Sequence, residues 1–320
     1  MNLIYRGRYV ISLGIKEGKR QKAIAQQIGV SASTVSREIR RNKGCRVYSY
    51  SLADEMSRER RERFPGNRKI SSHIEKEALR LLVKEDWSPK QISGYLKGNG
   101  IKISHETIYK RIREDQSGEL SSHCRHKMKY RRHVSRPKET KTTNIPNRTS
   151  IRERPSEADG KRFGDWEMDL IIGKDGKGAI LTLTERSSNL LLMEKLKDGK
   201  KAASLPRVVN RLLFPYKGKG VKTITTDNGS EFACHELITK KLGATVYFTD
   251  SYCSWQKGAI ENANKLIRQY IPKGTDFATI SDRFVMEVQK KINRRPREKL
   301  NFRSPKECFF ENWEQQKRAI

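Results

Sequence analysis

The chain has 320 residues, room for two or three domains, and sets 68 Lys and Arg against 37 Asp and Glu, a formal net charge of +31. A surplus that large needs an anionic partner, either nucleic acid or an acidic membrane surface. No apolar run approaches the roughly 18 residues of a membrane span, and Met1-Asn2-Leu3-Ile4-Tyr5-Arg6 lacks the apolar centre of a secretory signal. Nucleic acid is therefore the partner, no membrane is expected, and a reducing cytoplasm suits the five scattered cysteines, which include no C-x-x-C pair. The cluster His123-Cys124-Arg125-His126 is too crowded for ordinary zinc spacing and reads as part of a solvated basic linker.

The charge is uneven. Residues 1–155 hold 37 basic and 16 acidic side chains, leaving 31 and 21 for the rest. The first half reads as the part that holds DNA, and the second, with the longer apolar runs, as the part that buries a core.

In chain order, Gln21 to Gly29 reads as a helix with Ile24 and Ile28 on one face. After a turn at Val30-Ser31-Ala32, Ser33 is placed to cap a second helix, Thr34 to Arg41, with Val35 and Ile39 inward. Ser33, Thr34, Ser36, Arg37, Arg40 and Arg41 then face outward, the layout of a helix-turn-helix. Arg37 is positioned to reach a guanine edge in a major groove, and Arg40 or Arg41 a phosphate. Arg58 to Arg63 reads as a charged helix with a solvated face. A second helix-turn-helix starts at Ser88, a cap followed by Pro89 in the first helical position and Gln91 completing a capping box. Ile92 and Leu96 face inward, Lys97-Gly98-Asn99-Gly100 breaks the helix, and Ser104 caps His105 to Ile112. Ile108 and Ile112 lie inside there, with His105, Lys110 and Arg111 outside. A plain helical hairpin is the alternative for either segment. Residues 121–155, with 11 basic and two acidic side chains and three prolines, read as a linker along DNA backbone or a tether without contacts.

The pattern then changes to strands at Trp166–Ile172, Ala179–Thr184 and Leu190–Leu196, a helix near 202–214, a strand at Thr223–Thr226, a helix at Phe232–Leu242, a strand at Ala244–Thr249 and a long helix from Gly258. The order β-β-β-α-β-α-β-α is that of an RNase H-like α/β fold with helices on both faces. The expected domains are 1–66 and 67–120, each a helix-turn-helix, the linker 121–155, and an RNase H-like domain at 156–320.

Phosphodiester chemistry at neutral pH requires an activated nucleophile and a neutralised transition state, and two divalent ions held by carboxylates supply both. Asp169 sits inside an otherwise apolar strand, a costly position for an acid without a partner or ligand. Asp227 stands at the carboxyl end of the fourth strand, where ligand sites of open α/β sheets gather, although Asp227-Asn228-Gly229 is also an ordinary turn signal. Glu261 opens the last helix behind a flexible Trp255-Gln256-Lys257-Gly258. If strands one and four are neighbours, these three acids converge at one edge of the sheet. Glu167, on the same strand face as Asp169, reads as structural. Arg268, two helical turns from Glu261, and Lys265 are placed to meet a DNA phosphate; Trp255 either stacks on a base or packs in a core.

Gly164-Asp165-Trp166-Glu167-Met168-Asp169, Thr226-Asp227-Asn228-Gly229-Ser230-Glu231-Phe232 and Ile260-Glu261-Asn262-Ala263-Asn264 together resemble the DDE transposases of bacterial insertion sequences, with 33 residues between the last two acids. Leu266 to Phe277, Ser33 to Asn42, Ser104 to Tyr109 and Asn293-Arg294-Arg295-Pro296-Arg297 narrow the resemblance to the IS-thirty family, although Ile260 and Ala263-Asn264-Lys265 depart from its usual asparagine and glycine. The resemblance implies an enzyme that binds double-stranded DNA at the terminal inverted repeats of its element, exposes a 3′-hydroxyl there and transfers it to target DNA. It also implies two Mg2+ ions (Mn2+ substituting) held by Asp169, Asp227 and Glu261, a homo-oligomer of at least two copies on DNA, and a bacterial, nucleoid-associated location. The rival readings are a ligand-sensing transcriptional regulator, a purely hydrolytic nuclease of the same fold, and a degenerate copy that only represses.

Overall fold

The computed structural model describes residues 5–42, 47–63, 71–128, 145–251 and 253–318. The chain divides into two compact units, Met1–Ser71 and Ser72–Ile320. No helix among the described residues is long and apolar enough to cross a membrane.

The first unit contains α1 (Tyr5–Lys16), α2 (Gln21–Ile28), α3 (Ala32–Asn42) and α4 (Tyr50–Arg63). Ile11, Ile24, Ala25, Val35, Tyr48 and Ala53 form its core, with Ile28 and Ile39 packed against them. Gly29 ends α2 in the left-handed region at φ 73°, a conformation glycine adopts without Cβ strain. The cap of α3 falls two residues earlier than the sequence indicates. Ser31 Oγ, not Ser33, accepts from the Thr34 amide at 3.2 Å, so the helix starts at Ala32. Because Ser31 immediately precedes Ala32, its oxygen can turn onto the free amides of the first turn. Helix α4 is also longer than the solvated stretch expected at Arg58–Arg63. Its Asp54 and Ser57 join Glu38 of α3 around the buried Arg8 guanidinium of α1, at 2.6, 3.0 and 2.7 Å.

The second unit opens with α5 (Ser72–Glu85), α6 (Pro89–Gly98) and α7 (His105–Glu114), followed by the single turn α8 (Glu119–Ser122). Both bonds of the Ser88/Gln91 capping box are present, and Ser104 caps α7 through the Glu106 amide. Helix α5 has no counterpart in the sequence reading; it buries Ala78, Leu81 and Leu82.

The sheet has the order β1-β6-β5-β2-β3-β4, with β1 (Thr149–Ser150), β2 (Asp165–Ile172), β3 (Ala179–Glu185), β4 (Leu191–Leu196), β5 (Thr223–Thr226) and β6 (Thr245–Phe248). β2, β3 and β4 form an antiparallel meander, while β5, β6 and β1 pair in parallel beyond β2. The expected alternation of strands and helices is present, with α9 (Leu205–Leu213), α10 (His235–Leu242) and α11 (Gly258–Tyr270) in the predicted places. Two further helices, α12 (Asp282–Arg294) and α13 (Pro305–Arg318), complete the layers. One face of the sheet packs on α9, α10 and α13 through Val209, Ile238 and Phe309; the other packs on α11 and α12 through Leu266, Ile267, Val288 and Ile292. The two-residue period of β2 therefore sends Trp166 and Met168 to the first face and Glu167, Asp169 and Ile171 to the α11 face. On β4, the free backbone groups are taken up by α12. Asn293 bonds both the amide and the carbonyl of Leu191, and Gln289 accepts from the Met193 amide. This blunts a sheet edge that would otherwise be open for pairing.

Part of the stretch read as linker is built into the sheet. Ile145 and Ile151 are buried, and Thr149–Ser150 pairs with β6, because an apolar side chain every few residues there finds the first-face core. The His123-Cys124 pair is not solvated either. His123 Nδ1 lies 2.7 Å from Asp86, Cys124 is buried, and Gln269 of α11 donates to the His123 carbonyl. Residues 129–144 of that stretch lie outside the described residues.

Asp86 locks the second helical module to the sheet domain. At the end of α5 its carboxylate receives His123, Lys291 Nζ of α12 at 2.7 Å and the Tyr270 hydroxyl of α11 at 3.2 Å. Gly94 of α6 lies under the Phe302 ring, where any Cβ would come within 2.2 Å. Burial works against the Asp86 carboxylate, but Lys291 and His123 hold it below its usual range. A carboxyl depressed in the folded state contributes stability above its unfolded value near 3.9, lost as pH falls through the folded value. Asp86→Ala should lower the stability of the second unit by about 2 kcal/mol at neutral pH, since it leaves the Lys291 ammonium without its anion and His123 and Tyr270 without their hydrogen-bond partner. Chemical denaturation followed by circular dichroism reads this, and the acid limb of stability should be shallower than in the parent.

Candidate active site

The parallel register of β2 and β5 brings the two aspartates together. Asp165 pairs with Thr223, Trp166 with Ile224 and Glu167 with Thr225. Two more steps along the same register set Asp169 level with Asp227, and the Thr226 hydroxyl donates to the Met168 carbonyl on the way. Asp227 also fulfils its turn role: its Oδ1 accepts from the Gly229 amide at 3.1 Å, and Asn228 Nδ2 donates to the Thr249 carbonyl at 2.7 Å. That leaves Oδ2 free to point across the strand ends.

What it meets there is a cation from the chain itself. Lys257 Nζ lies 2.8 Å from Asp227 Oδ2 and 3.6 Å from Asp169 Oδ1, and Lys257 is only 5% exposed. The segment expected to be flexible is a 3-10 turn, Ser254–Lys257, running directly into α11. Burial alone pulls the Lys257 ammonium down, but Asp169 and Asp227 outweigh it and raise it above its ordinary value. Asp169 is pushed up by burial, an effect that Lys257 only partly offsets and Asp227 reinforces. The triangle thus carries one positive charge against two carboxylates, the more exposed of which is Asp227, at 42% for its side chain against 23% for Asp169.

Helix α11 adds polar support along one face. Its Ile260 amide donates to Glu167 Oε2 at 2.8 Å, and Asn264 Nδ2 donates to Asp169 Oδ2 at 2.8 Å. Glu261 stands in the first turn, half-buried, one turn before Asn264 on the same face. Its carboxylate does not join the aspartates: among the described residues no group of three His, Cys, Asp or Glu side chains is close enough to hold a metal ion. The structure therefore gathers two of the three acids and leaves the third beside them. Two facing carboxylates already share a single ammonium, and a third brought in would add repulsion without a compensating charge.

The other acids of β2 have different duties. Glu167 is buried and takes Arg186 Nε at 2.9 Å besides the Ile260 amide, so it ties β2 to the start of α11. Asp165 receives two bonds from Arg162 and one from Thr223. Sequence reasoning missed Lys257, Asn264 and Arg186. A lysine in a polar turn or an asparagine on a basic helix carries no mark until the sheet fixes what lies opposite.

The residues expected on DNA are placed variously. Ser33, Ser36, Arg37, Arg40 and Arg41 are exposed and Thr34 is partly so; Arg37 bends back onto the Ser33 carbonyl at 3.1 Å. His105 and Lys110 are exposed, but Arg111 is engaged by Glu75 and Glu114. Trp255 is 73% exposed, which removes its core-packing alternative. Lys265 faces solvent, whereas Arg268 turns to the Ile271 and Pro272 carbonyls at the end of its own helix.

Glu167 offers a clean test of the support. Glu167→Ala leaves Arg186 and the Ile260 amide without their acceptor, a loss of about 3 kcal/mol expected for breaking a buried pair. Glu167→Gln, which keeps an acceptor for the amide, should cost less. Equilibrium unfolding with added Mg2+ and with chelator should give the same difference in both conditions, because Glu167 is spent on protein groups.

Comparison with known proteins gives the family of the chain. The Helix-turn-helix domain family matches residues 7–42, the Homeodomain-like domain 34–112 and the Integrase core domain 160–254, the last ending just ahead of Lys257 and Glu261. The transposase for insertion sequence element IS4351 of Bacteroides fragilis is 42% identical over 94% of this chain and 93% of its own length. Transposase InsI for insertion sequence element IS30A of Escherichia coli is 35% identical over 94% and 82%, and the transposase for IS1086 of Cupriavidus metallidurans 33% over 89% and 87%. Among solved structures, the catalytic core domain of BIV integrase covers 48% of this chain and 98% of its own at 18% identity and a TM-score of 0.39, and the assignment rests on the full-length relatives instead. A DDE-type integrase core behind helix-turn-helix modules, matched end to end by these enzymes, makes the chain a member of the IS30 family of insertion-sequence transposases.

Proposed function

We propose that Asp169, Asp227 and Glu261 form the catalytic, metal-holding set of this transposase, and that the enzyme cuts and joins DNA at the terminal inverted repeats of its element. The observation that carries this is the shared cation: two carboxylates from separate strands converge on one buried ammonium at 2.8 and 3.6 Å. A point that attracts a lysine so strongly is also suited to a hard divalent ion, Mg2+ or Mn2+, for which carboxylate oxygens are the preferred donors. When bound, two such ions supply Lewis acidity to the scissile phosphate and lower the pKa of the attacking water or 3′-hydroxyl.

The chain's own groups do the rest. Asp169 and Asp227 would hold the metal where they now hold the Lys257 ammonium, with Glu261, one helical turn from Asn264, as the third carboxylate. Asn264 fixes the rotamer of Asp169 by its bond to Oδ2. Glu167 and Arg186 hold the start of α11, and therefore Glu261, at a set height above β2. With metal bound there, the Lys257 ammonium would be available to a DNA phosphate.

The DNA contacts follow the same reading. Arg37, with Ser33, Thr34 and Ser36, reads base edges from α3, and Arg40 and Arg41 hold phosphates. His105 and Lys110 of α7 approach a second stretch of duplex, with Arg111 joining only if it leaves Glu75. Trp255, Lys265 and Arg268 flank the strand at the catalytic helix. The functional division is into helix-turn-helix domains at 1–66 and 67–120 and a catalytic domain at 156–320, whose sheet also takes in the end of the connecting stretch 121–155, from Ile145 on. Two element ends must be held at once, so the working form is at least a dimer, acting on the chromosome in the cytoplasm.

An end-bearing plasmid incubated with the purified enzyme and Mg2+ tests the active site. A lost metal ligand removes several kcal/mol of transition-state stabilisation, so Asp227→Ala should nick roughly a thousand-fold more slowly at about 1.4 kcal/mol per factor of ten. Nicking that survives the substitution would remove Asp227 from the mechanism. In a binding assay on the element ends, Arg37→Ala should weaken the complex by about 1–3 kcal/mol.

A further inference from the structure

Three cationic side chains of the second unit that form no ion pair among the described residues gather in one place. A cleft of ≈ 930 Å3 runs between the α6–α7 module and the start of α11. Its lining includes Arg125, Arg297 and Lys299, together with Tyr109 of α7 and the exposed Trp255. Other basic residues of the cleft are neutralised: Lys90 pairs with Glu298, Arg186 with Glu167 and Lys161 with Asp159. Arg125, Arg297 and Lys299 enter no ion pair among the described residues. Lys299 Nζ is held only by the carbonyls of Arg186 and Gly160.

Arg297 is the telling member. It is 7% exposed, donates from one terminal nitrogen to the Ile292 carbonyl at 3.3 Å, and leaves its buried Nε without a partner. A second guanidinium, Arg295, lies close by. It is fully buried, its two terminal nitrogens donate to Gln269 and the Tyr270 hydroxyl, and it lies over the Tyr270 ring, but its Nε is likewise without a partner. Burial, and then the charges of Arg295 and Arg125, push the Arg297 pKa down. An arginine does not shed its proton in a protein, so the charge stays and its desolvation is uncompensated. Such an arrangement is unfavourable in the free protein and becomes favourable when an anion enters. A planar guanidinium fork fits the two free oxygens of a phosphodiester, and an open cleft with aromatic side chains on its walls suits a nucleic-acid strand better than a free ion.

We propose that Arg297, with Arg125 at the mouth of the cleft and Lys299 on its wall, forms a seat for a DNA backbone phosphate between the second helix-turn-helix module and the catalytic helix. The seat would set the path of the strand as it leaves α7 for the carboxylates. The identity of the anion as DNA rests on the transposase reading; the existence of an anion seat does not.

The experiment uses the full chain and two variants, Arg297→Met and Arg125→Gln, the second at an exposed position that should leave folding intact. Thermal unfolding is compared in inorganic phosphate and in chloride at equal ionic strength. The parent should be raised by phosphate, and Arg297→Met should melt no lower than the parent in chloride and lose the phosphate response. Binding of a linear duplex of arbitrary sequence should weaken about tenfold in each variant, the loss expected for one charged hydrogen-bonding group, and the slope of log affinity against log salt should fall by about one. If Arg297→Met melts lower in chloride and keeps the phosphate response, the side chain is only a cap on the Ile292 carbonyl and the proposal is overturned. Unchanged duplex affinity and salt slope in both variants overturn it as well. A parent protein that binds no duplex at all would instead sink the transposase reading, and the phosphate response would still decide whether the seat exists.

Discussion

The parallel pairing of β2 with β5 is the constraint on which the rest of the catalytic unit depends, because it sets Asp169 and Asp227 level at the strand ends. Two carboxylates at that distance repel in a site from which much of the water is excluded. The chain answers with Lys257, carried in on the turn that precedes α11. The position of α11 then follows. Its first turn must lie close enough for Lys257 to reach both acids, for the Ile260 amide to reach Glu167 and for Asn264 to reach Asp169. Glu261 is delivered to the rim of the site by bonds that do not involve Glu261 itself.

The strand acids fall into two electrostatic classes. Asp165, Glu167 and Glu185 are buried and satisfied by fixed partners. Arg162 and Thr223 hold the first, Arg186 and a helix amide the second, and two serines with three backbone amides the third. Rearranging any of them would leave unpaired polar groups in a dry interior, at a cost of several kcal/mol. Asp169 and Asp227 are partly exposed and share one side-chain cation, Lys257, which is not part of the sheet. That difference separates acids fixed within the fold from the two that meet at the strand ends.

The second helical module shows the same logic on the basic side. Asp86 gathers His123, Lys291 and Tyr270 and fixes the module against α11 and α12. With the module fixed there, the cleft beside α11 has a definite wall, and Arg125, Arg297 and Lys299 face it without an ion pair among the described residues. Fixing the module and leaving those charges uncompensated are two consequences of one docking geometry.

The sequence by itself determined the order of strands and helices, the helix-turn-helix periodicities, the Ser88 capping box and the acids worth watching. All of these are local: period two or 3.6, a cap before a run of apolar residues, a carboxylate where an apolar strand does not want one. Only the tertiary structure decided which of those acids meet. Asp169 and Asp227 are far apart in the chain and are joined by strand pairing, and Lys257 looked like part of a loose turn until both acids stood opposite it. Tertiary packing also turned part of an expected linker into an edge strand at Thr149–Ser150, and turned His123 from a solvated residue into a partner of Asp86. It likewise moved the cap of α3 to Ser31 and closed Arg111 and Arg268 onto protein groups. Long-range electrostatics depends on which charge lies across a gap of a few ångströms, and a linear sequence specifies that only through the fold it produces.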